Sequence, residues 1–145
     1  MATRLAPLIE LRQPAEAWAF EEAEARLGFT LPEELRAFLA CSDGATIAIR
    51  LDSGEVIPRA LPLVWDLWTI QVENTSGRDW APDRPKDVLW FADAGVDGIN
   101  IGHATDPRGA PVDQVVLWYP IEGEIKPFFA SFAEYLERWI QGVSI

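Results

Sequence analysis

The chain has 145 residues and a formal net charge of −11 at pH 7, and 49% of its residues are hydrophobic, including seven tryptophans. This length fits one domain with a core, and the hydrophobic content excludes a disordered acidic tail. A negative field repels phosphate backbones and attracts basic proteins, which argues against nucleic acid and favours a basic protein partner; acidity for solubility alone is the other interpretation.

The cysteine content and the apolar runs indicate a cytoplasmic protein. Cys41 is the one cysteine, so it has no intramolecular disulfide partner, and residues 1–10 lack the apolar run of a secretory signal. No window approaches the roughly 18 consecutive apolar residues that a membrane span needs. We therefore expect a single domain over residues 1–145, in the cytoplasm and without a membrane segment.

The first third of the chain predicts two helices joined by a tight turn. Between Pro14 and Gly28, apolar residues recur at steps of three and four among glutamates, which is typical of an amphipathic helix. These apolar residues are Ala17, Phe20, Ala23 and Leu27. A second helix is predicted directly afterwards, because Thr30 and Glu33 have the spacing of a capping box. Its apolar stripe consists of Leu35, Phe38 and Leu39.

The remainder of the chain predicts an antiparallel sheet of about five to six strands. Alternation over residues 46–51, followed by the turn 52–55 and the apolar pair Val56 and Ile57, indicates a hairpin. No connector between the later apolar runs is long enough for a crossover helix, so their order is antiparallel. These runs are 88–92, 98–102, 115–119 and 125–129.

The Trp-rich segment between the hairpin and the later strands has an ambiguous pattern. Residues 63–72 are predicted as a helix with Trp65, Trp68 and Val72 on one face, although the segment would also suit a strand. Residues 74–86 are predicted as a loop, because Gly and Pro recur there among polar side chains.

The C-terminal end predicts a helix packed on the sheet. Ser131 and Glu134 have the spacing of a capping box at its start. The apolar residues that this helix would bury are Phe132, Leu136, Trp139 and Ile140. Together with the two N-terminal helices and the antiparallel strands, this indicates an α+β fold.

Three blocks of the sequence resemble the SUKH superfamily, in the order that this family has. Residues 21–44 contain a helix ending in Leu-Gly, a Leu-Pro step, a second helix and a glycine turn. LWFADAGVDGINIG, at 89–102, is similar to the central Phe-Ala-Asp-x-Gly segment of the family, and ASFAEYLERWI, at 130–140, resembles its closing Ser-Phe-x-x-Leu helix. The resemblance implies the α+β fold of the superfamily.

The resemblance also implies a function in protein binding. Many bacterial members are immunity proteins that bind and neutralise a partner toxin, and fungal relatives act as scaffolds in cell-wall and signalling assemblies. We therefore expect an immunity-type inhibitor of a toxin, with a non-inhibitory scaffold or regulatory module as the alternative. The family's pair of glycines is Gly44 and Ala45 here, the turn 95–98 is less compact, and segment 61–80 has no counterpart.

The residues that catalysis or metal binding would need are sparse. His103 is the one histidine, and a nucleophilic mechanism would need it beside Cys41 or Ser42. Cys41 lies at the end of a predicted helix, where the negative end of the dipole opposes a thiolate. A metal set of His103, Asp106 and Asp113 lacks a second histidine. We expect no enzyme, metal or cofactor, and a small-molecule cleft around His103 is the third hypothesis.

The candidate partner-binding residues surround one predicted strand. Trp80 lies in the predicted loop between Asp79 and Asp83, and an aromatic residue with acidic neighbours is typical of an interface anchor. Asp93 and Asp97 follow the next strand, so we expect one acidic rim that includes all five residues. The tryptophans within regular elements are predicted to pack in the core, and they are Trp18, Trp90, Trp118 and Trp139.

Overall fold

The structure is a computed structural model, and it describes residues 6–95 and 97–140. Within these residues it contains seven strands and five helices. The strands are β1 (Ala6–Leu11), β2 (Ala45–Arg50), β3 (Val56–Val64), β4 (Val88–Asp93), β5 (Asn100–Thr105), β6 (Pro111–Tyr119) and β7 (Glu124–Phe129). The helices are α1 (Ala17–Leu27), α2 (Glu33–Cys41), α3 (Leu67–Asn74), α4 (Gly77–Trp80) and α5 (Phe132–Ile140). None of these helices has the length and the apolar content to cross a membrane.

The strands form two antiparallel sheets, and the α+β fold is confirmed. The first sheet has three strands in the order β1-β2-β3, and the second has four in the order β4-β5-β6-β7. The sequence predicts one sheet of about five to six strands and does not predict β1. The two sheets meet just after β3, where the Trp65 N–H donates to Phe91 O of β4 at 2.7 Å, but β3 and β4 are not paired as neighbouring strands.

The two N-terminal helices form where the apolar pattern predicts them. Phe20 and Leu27 of α1 are buried, and Gly28 ends the helix with a left-handed φ of 72°. The predicted capping box at Thr30 is wrong, because Pro32 occupies the position before the first turn of α2 and no side chain caps this helix.

The segment that the sequence predicts as one helix is divided between a strand and a helix. The strand β3 continues to Val64, and α3 begins only at Leu67. Asp66 caps α3, because its carboxylate accepts the Thr69 N–H at 2.7 Å. Trp65 therefore precedes the helix, and the predicted loop after α3 contains the short helix α4.

One face of the four-stranded sheet, called here the helix face, packs against α5. Phe91 of β4 contacts Phe132 and Tyr135 of α5, with ring centroids 5.3 and 5.2 Å apart. The Tyr135 hydroxyl donates to Leu63 O of β3 at 2.6 Å, so α5 connects the two sheets. Burial raises the pKa of Tyr135 well above its ordinary value.

The start of α5 has the predicted cap. Ser131 Oγ accepts the Glu134 N–H at 3.1 Å, and the Glu134 carboxylate accepts the Ala130 N–H at 3.3 Å. Phe132 is buried as predicted, and Leu136 packs half-buried against the core. The side chains of Trp139 and Ile140, which the sequence predicts as buried, lie outside the described residues.

The opposite face of this sheet, called here the loop face, carries a second apolar cluster. It consists of Val88, Trp90, Val116 and Trp118. A Cβ atom on Gly102 of β5 would lie 2.6 Å from Trp90 Cε3 and 2.5 Å from Val88 Cγ1, so only glycine lets this indole pack so closely. The core positions predicted for Trp90 and Trp118 are confirmed, whereas the one predicted for Trp18 is wrong, since this residue is 63% exposed.

Candidate functional site

The α3–β4 loop, residues 75–87, is held on the loop face by a buried cation. The side chain of Arg84 is 4% exposed. It donates to Glu73 O at 2.6 Å, to Glu73 Oε1 at 3.2 Å and to Asn100 Oδ1 at 3.1 Å, and its guanidinium carbon lies 5.6 Å from the Trp90 ring centre. Burial lowers the pKa of Arg84, and its hydrogen bond and ion pair with Glu73 oppose that shift. The buried charge therefore has the partners that its desolvation requires.

Both ends of the α3–β4 loop are tied to Trp90 of β4. At the start, Asn74 Nδ2 donates to Trp90 O at 2.8 Å, and Asn74 Oδ1 accepts the Trp90 N–H at 2.9 Å. At the end, the Trp90 indole N–H donates to Pro85 O at 3.0 Å. Asn74 thus fills the hydrogen-bonding positions that a neighbouring strand would take, and the loop has a fixed path.

The short helix α4 places Trp80 at the surface of this loop. A Cβ atom on buried Gly77 would lie 3.1 Å from Arg84 Nη2 and 3.4 Å from Trp80 Cζ2. One edge of the Trp80 indole and the buried guanidinium therefore both lie against Gly77, while Trp80 as a whole is 60% exposed. The neighbouring Asp79 is exposed too. The predicted exposure of Trp80 thus has a structural basis in a supported, not a free, loop.

The predicted acidic residues occupy two places on the four-stranded sheet. Asp79 and Asp83 are exposed on the α3–β4 loop, before β4 begins. Asp93 ends β4, where its carboxylate accepts the Gly95 N–H at 2.7 Å, and Asp97 is exposed in the β4–β5 turn with a φ of 51°. The four carboxylates therefore form two pairs, and, as the sequence predicts, one pair precedes β4 and the other lies at its end and beyond.

The bonds of Arg84 bring the segment around Asp83 toward the end of β4 that carries Asp93. It follows Asp83 in the chain and bonds to Asn100, which is paired with Asp93 in the β4–β5 ladder. The segment around Asp83 thereby returns toward the end of the sheet that carries Asp93. In the part of the chain that the structure describes, no hydrogen bond or ion pair connects α4 with the β4–β5 turn.

A second surface with exposed aromatic side chains lies between α1 and α3. It is a groove of about 450 Å³, lined by Trp18 of α1 and Trp68 of α3. Both tryptophans are 63% exposed. The charged residues of its lining are Glu16, Glu22, Arg26 and Asp43. The sequence predicts neither tryptophan as a surface residue.

The residues considered for catalysis have different surroundings. His103 is 2% exposed, its Nδ1 lies 3.0 Å from Ala104 O, and burial lowers its pKa. Cys41 is exposed at the end of α2. The described residues contain no group of three His, Cys, Asp or Glu side chains that could hold a metal ion.

Sequence reasoning missed the residues that support both surfaces. Arg84 and Asn74 hold the α3–β4 loop, but neither has a local pattern that indicates burial. The exposure of Trp18, in contrast, does have a local pattern, because a helix turns 100° per residue and Trp18 therefore lies nearly opposite the buried Phe20. Its position off the apolar stripe was a usable sign of exposure.

Comparison with known proteins gives a match over most of the chain. The model of the SMI1 / KNR4 family (SUKH-1) matches residues 14–138. This range contains the α3–β4 loop and both walls of the groove. No curated protein matches the sequence.

Proposed function

This chain belongs to the SMI1/KNR4 family (SUKH-1), and we propose that it works by binding a basic partner protein. The contact residues that we propose are called the Trp80 surface, and they are Asp79, Trp80, Asp83, Asp93 and Asp97. One observation carries the proposal: a tryptophan that is 60% exposed sits on a loop whose path is set by a buried arginine. Such an anchor is available to a partner without rearrangement.

The support beneath Trp80 favours tight binding. Tryptophan is among the residues that contribute most to interfaces, because its large ring excludes water over a wide area. Ordering a mobile side chain at an interface costs roughly 0.5–1.5 kcal/mol, and a loop that is already ordered avoids much of this cost. The bonds of Arg84 and Asn74 supply that order in the free protein.

Charge favours a basic partner over a neutral one. The net charge of −11 attracts a basic protein over long distances and raises its association rate. Within the α3–β4 loop, Arg78 and Lys86 offset part of the acidic charge, whereas Arg84 is already paired with Glu73. The carboxylates of the Trp80 surface therefore act on rate and orientation, and the indole supplies most of the affinity.

The role that we propose is immunity, in which the protein occludes a toxin in the cytoplasm and performs no chemistry itself. The burial of His103 argues against catalysis by this histidine, because a residue that is 2% exposed is closed to a substrate. A non-inhibitory scaffold would use the same kind of surface, and the experiment below separates the two roles.

The test is co-expression with the toxin-like protein encoded next to this gene. We expect survival of cells that are otherwise killed, and co-purification of the two proteins. Co-purification with housekeeping proteins and no rescue would favour the scaffold. If neither rescue nor any co-purifying protein is found, protein binding as the function is contradicted.

Variants then test the proposed surface. We expect Trp80→Ala to weaken partner binding by about 30-fold, the size of a hot-spot loss. Asp83→Lys and Asp97→Lys should slow association and flatten its salt dependence, because exposed charges act mainly on encounter. Glu55→Lys, an equal charge reversal in the β2–β3 turn of the other sheet, is the matched control. If the association rates of all three charge variants depend on salt in the same way, the Trp80 surface is not the contact surface.

A further inference from the structure

The groove between α1 and α3 is a second candidate binding surface. Two tryptophans that are each 63% exposed line one groove of about 450 Å³. Its lining includes the half-buried residues Ala15 and Ala19, whose side chains are small. Large apolar side chains around an open concave surface are typical of binding sites.

Both indoles have fixed surroundings. The Trp18 indole N–H donates to the Glu16 carboxylate. Trp68 lies in the first turn of α3, where Asp66 accepts the Thr69 N–H at 2.7 Å and Asp43 accepts the Leu67 N–H at 2.8 Å. Trp68 is thus carried by the capped start of α3, whereas the start of α1 has no side-chain cap and Trp18 is held there by its bond to Glu16.

The charge of the groove selects the kind of occupant. Its lining has three carboxylates, on Glu16, Glu22 and Asp43, and one guanidinium, on Arg26, which is paired with Glu22 at 2.6 Å. The starts of α1 and α3 each add about half a positive charge, which still leaves a negative balance. The Glu16 carboxylate accepts from a neutral indole N–H and keeps its full charge for a ligand.

We propose that this groove binds an arginine or lysine side chain of a partner protein, with its stem against Trp18 and Trp68 and its charge facing Glu16. Indole rings attract cations through their π faces, and a long basic side chain offers both an apolar stem and a charge. The inference rests on the proposed function, since it assumes a protein partner, but it concerns a surface that is separate from the Trp80 surface.

The test is an NMR titration of the ¹⁵N-labelled full chain with the blocked peptide Gly-Leu-Arg-Leu-Gly. Indole N–H signals report each tryptophan separately, and Trp18→Phe and Trp68→Phe assign the two that matter. We expect saturable shifts of both signals and none at Trp80. The same peptide with citrulline in place of arginine should bind about tenfold more weakly, because it keeps the shape and loses the charge.

Two variants test the charge. Glu16→Gln should weaken binding of the arginine peptide by about threefold, the effect of one exposed charge. Glu55→Gln, in the β2–β3 turn, should leave the affinity for this peptide unchanged. Equal affinities for the arginine and citrulline peptides, or signals of Trp18 and Trp68 that do not move, would overturn the proposal. Signals that instead change with protein concentration in the absence of peptide would assign the groove to a second copy of the chain, which also overturns it.

The outcomes for the two surfaces are distinguishable. Absence of rescue in the co-expression experiment, with an intact peptide titration, would contradict the immunity role and leave the cation site of the groove standing. Rescue without any peptide binding would do the reverse, because it would support a protein partner and remove the groove as its site for a basic side chain.

Discussion

The two faces of the four-stranded sheet are covered by different means. On the helix face, Phe91 packs against Phe132 and Tyr135 of α5, within an extended apolar core. On the loop face, a smaller cluster around Trp90 is covered by the α3–β4 loop, which Arg84 holds by polar bonds. One cover consists of many apolar contacts, and the other depends on one buried charge.

The helix face therefore contributes mainly to stability, whereas the loop face also positions the exposed Trp80. The apolar contacts of the helix face add up over many residues, so no one of them decides the fold. The loop face instead orders the segment that presents Trp80, and a change at Arg84 would act on stability and on the presented surface together. At such a residue, a substitution that changes binding also changes the stability of the fold.

The largest expected effect tests the buried charge directly. Arg84→Met keeps an unbranched apolar stem but removes the guanidinium, so it leaves Glu73 and Asn100 without their cation. Because removing one partner of a buried pair costs about 3–5 kcal/mol, we expect the free energy of unfolding to fall by about 3 kcal/mol in a urea titration. The loop should also loosen, so trypsin should cleave after Lys86 faster than in the wild type.

Arg78→Met is the matched control for this prediction. Arg78 is in the same loop but is only half-buried, and its replacement should change the free energy of unfolding by less than about 0.5 kcal/mol. Equal losses in the two variants would mean that the loop needs positive charge in general and not the particular bonds of Arg84.

A smaller effect tests the glycine on which the loop-face cluster packs. Gly102→Ala would place a methyl group 2.5 Å from Val88 Cγ1 and 2.6 Å from Trp90 Cε3, and overpacking of this kind costs about 1–3 kcal/mol. Thermal or urea unfolding measures the loss. In a Trp90→Leu background the same substitution should cost less, because the smaller side chain makes room. Strictly additive losses would show that the indole does not cause the strain.

The local patterns of the sequence predicted one class of structure well. The apolar stripe of α1 and the four strands of the second sheet were predicted because their signals repeat within a few residues. The strand β1 was not, since its partner residues are far along the chain; Ala6 pairs with Arg50. Pairing over such a distance is a property of the folded chain and leaves no short-range pattern.

The residues of the candidate site also fall into those that the local sequence predicts and those that it does not. The exposure of Trp80 was predictable from its polar neighbours, and that of Trp18 could have been read from its position opposite Phe20. The burial of Arg84 was not predictable, because its partners Glu73 and Asn100 come from a helix and from a later strand. A buried charge is recognised only when the fold has brought its partners together.

The smallest expected effect concerns the helix face, where His103 is 2% exposed. Burial lowers its pKa, and the bond to Ala104 and the charges of Asp113 and Glu34 oppose that shift less strongly. The unfolded chain has the ordinary histidine pKa of about 6.5 and therefore takes up the proton first as the pH falls. The stability contributed by neutral His103 is complete above that pH and is lost below it.

We therefore expect the free energy of unfolding to fall more steeply between about pH 7 and pH 5 in the wild type than in His103→Gln. The difference in slope should not exceed about 1.4 kcal/mol per pH unit, the limit for one proton. Urea titrations at several pH values measure it, and comparing slopes removes any constant effect of the substitution. Parallel curves would mean that His103 titrates equally in the folded and unfolded states, so the helix face would be less closed to water than its apolar packing requires.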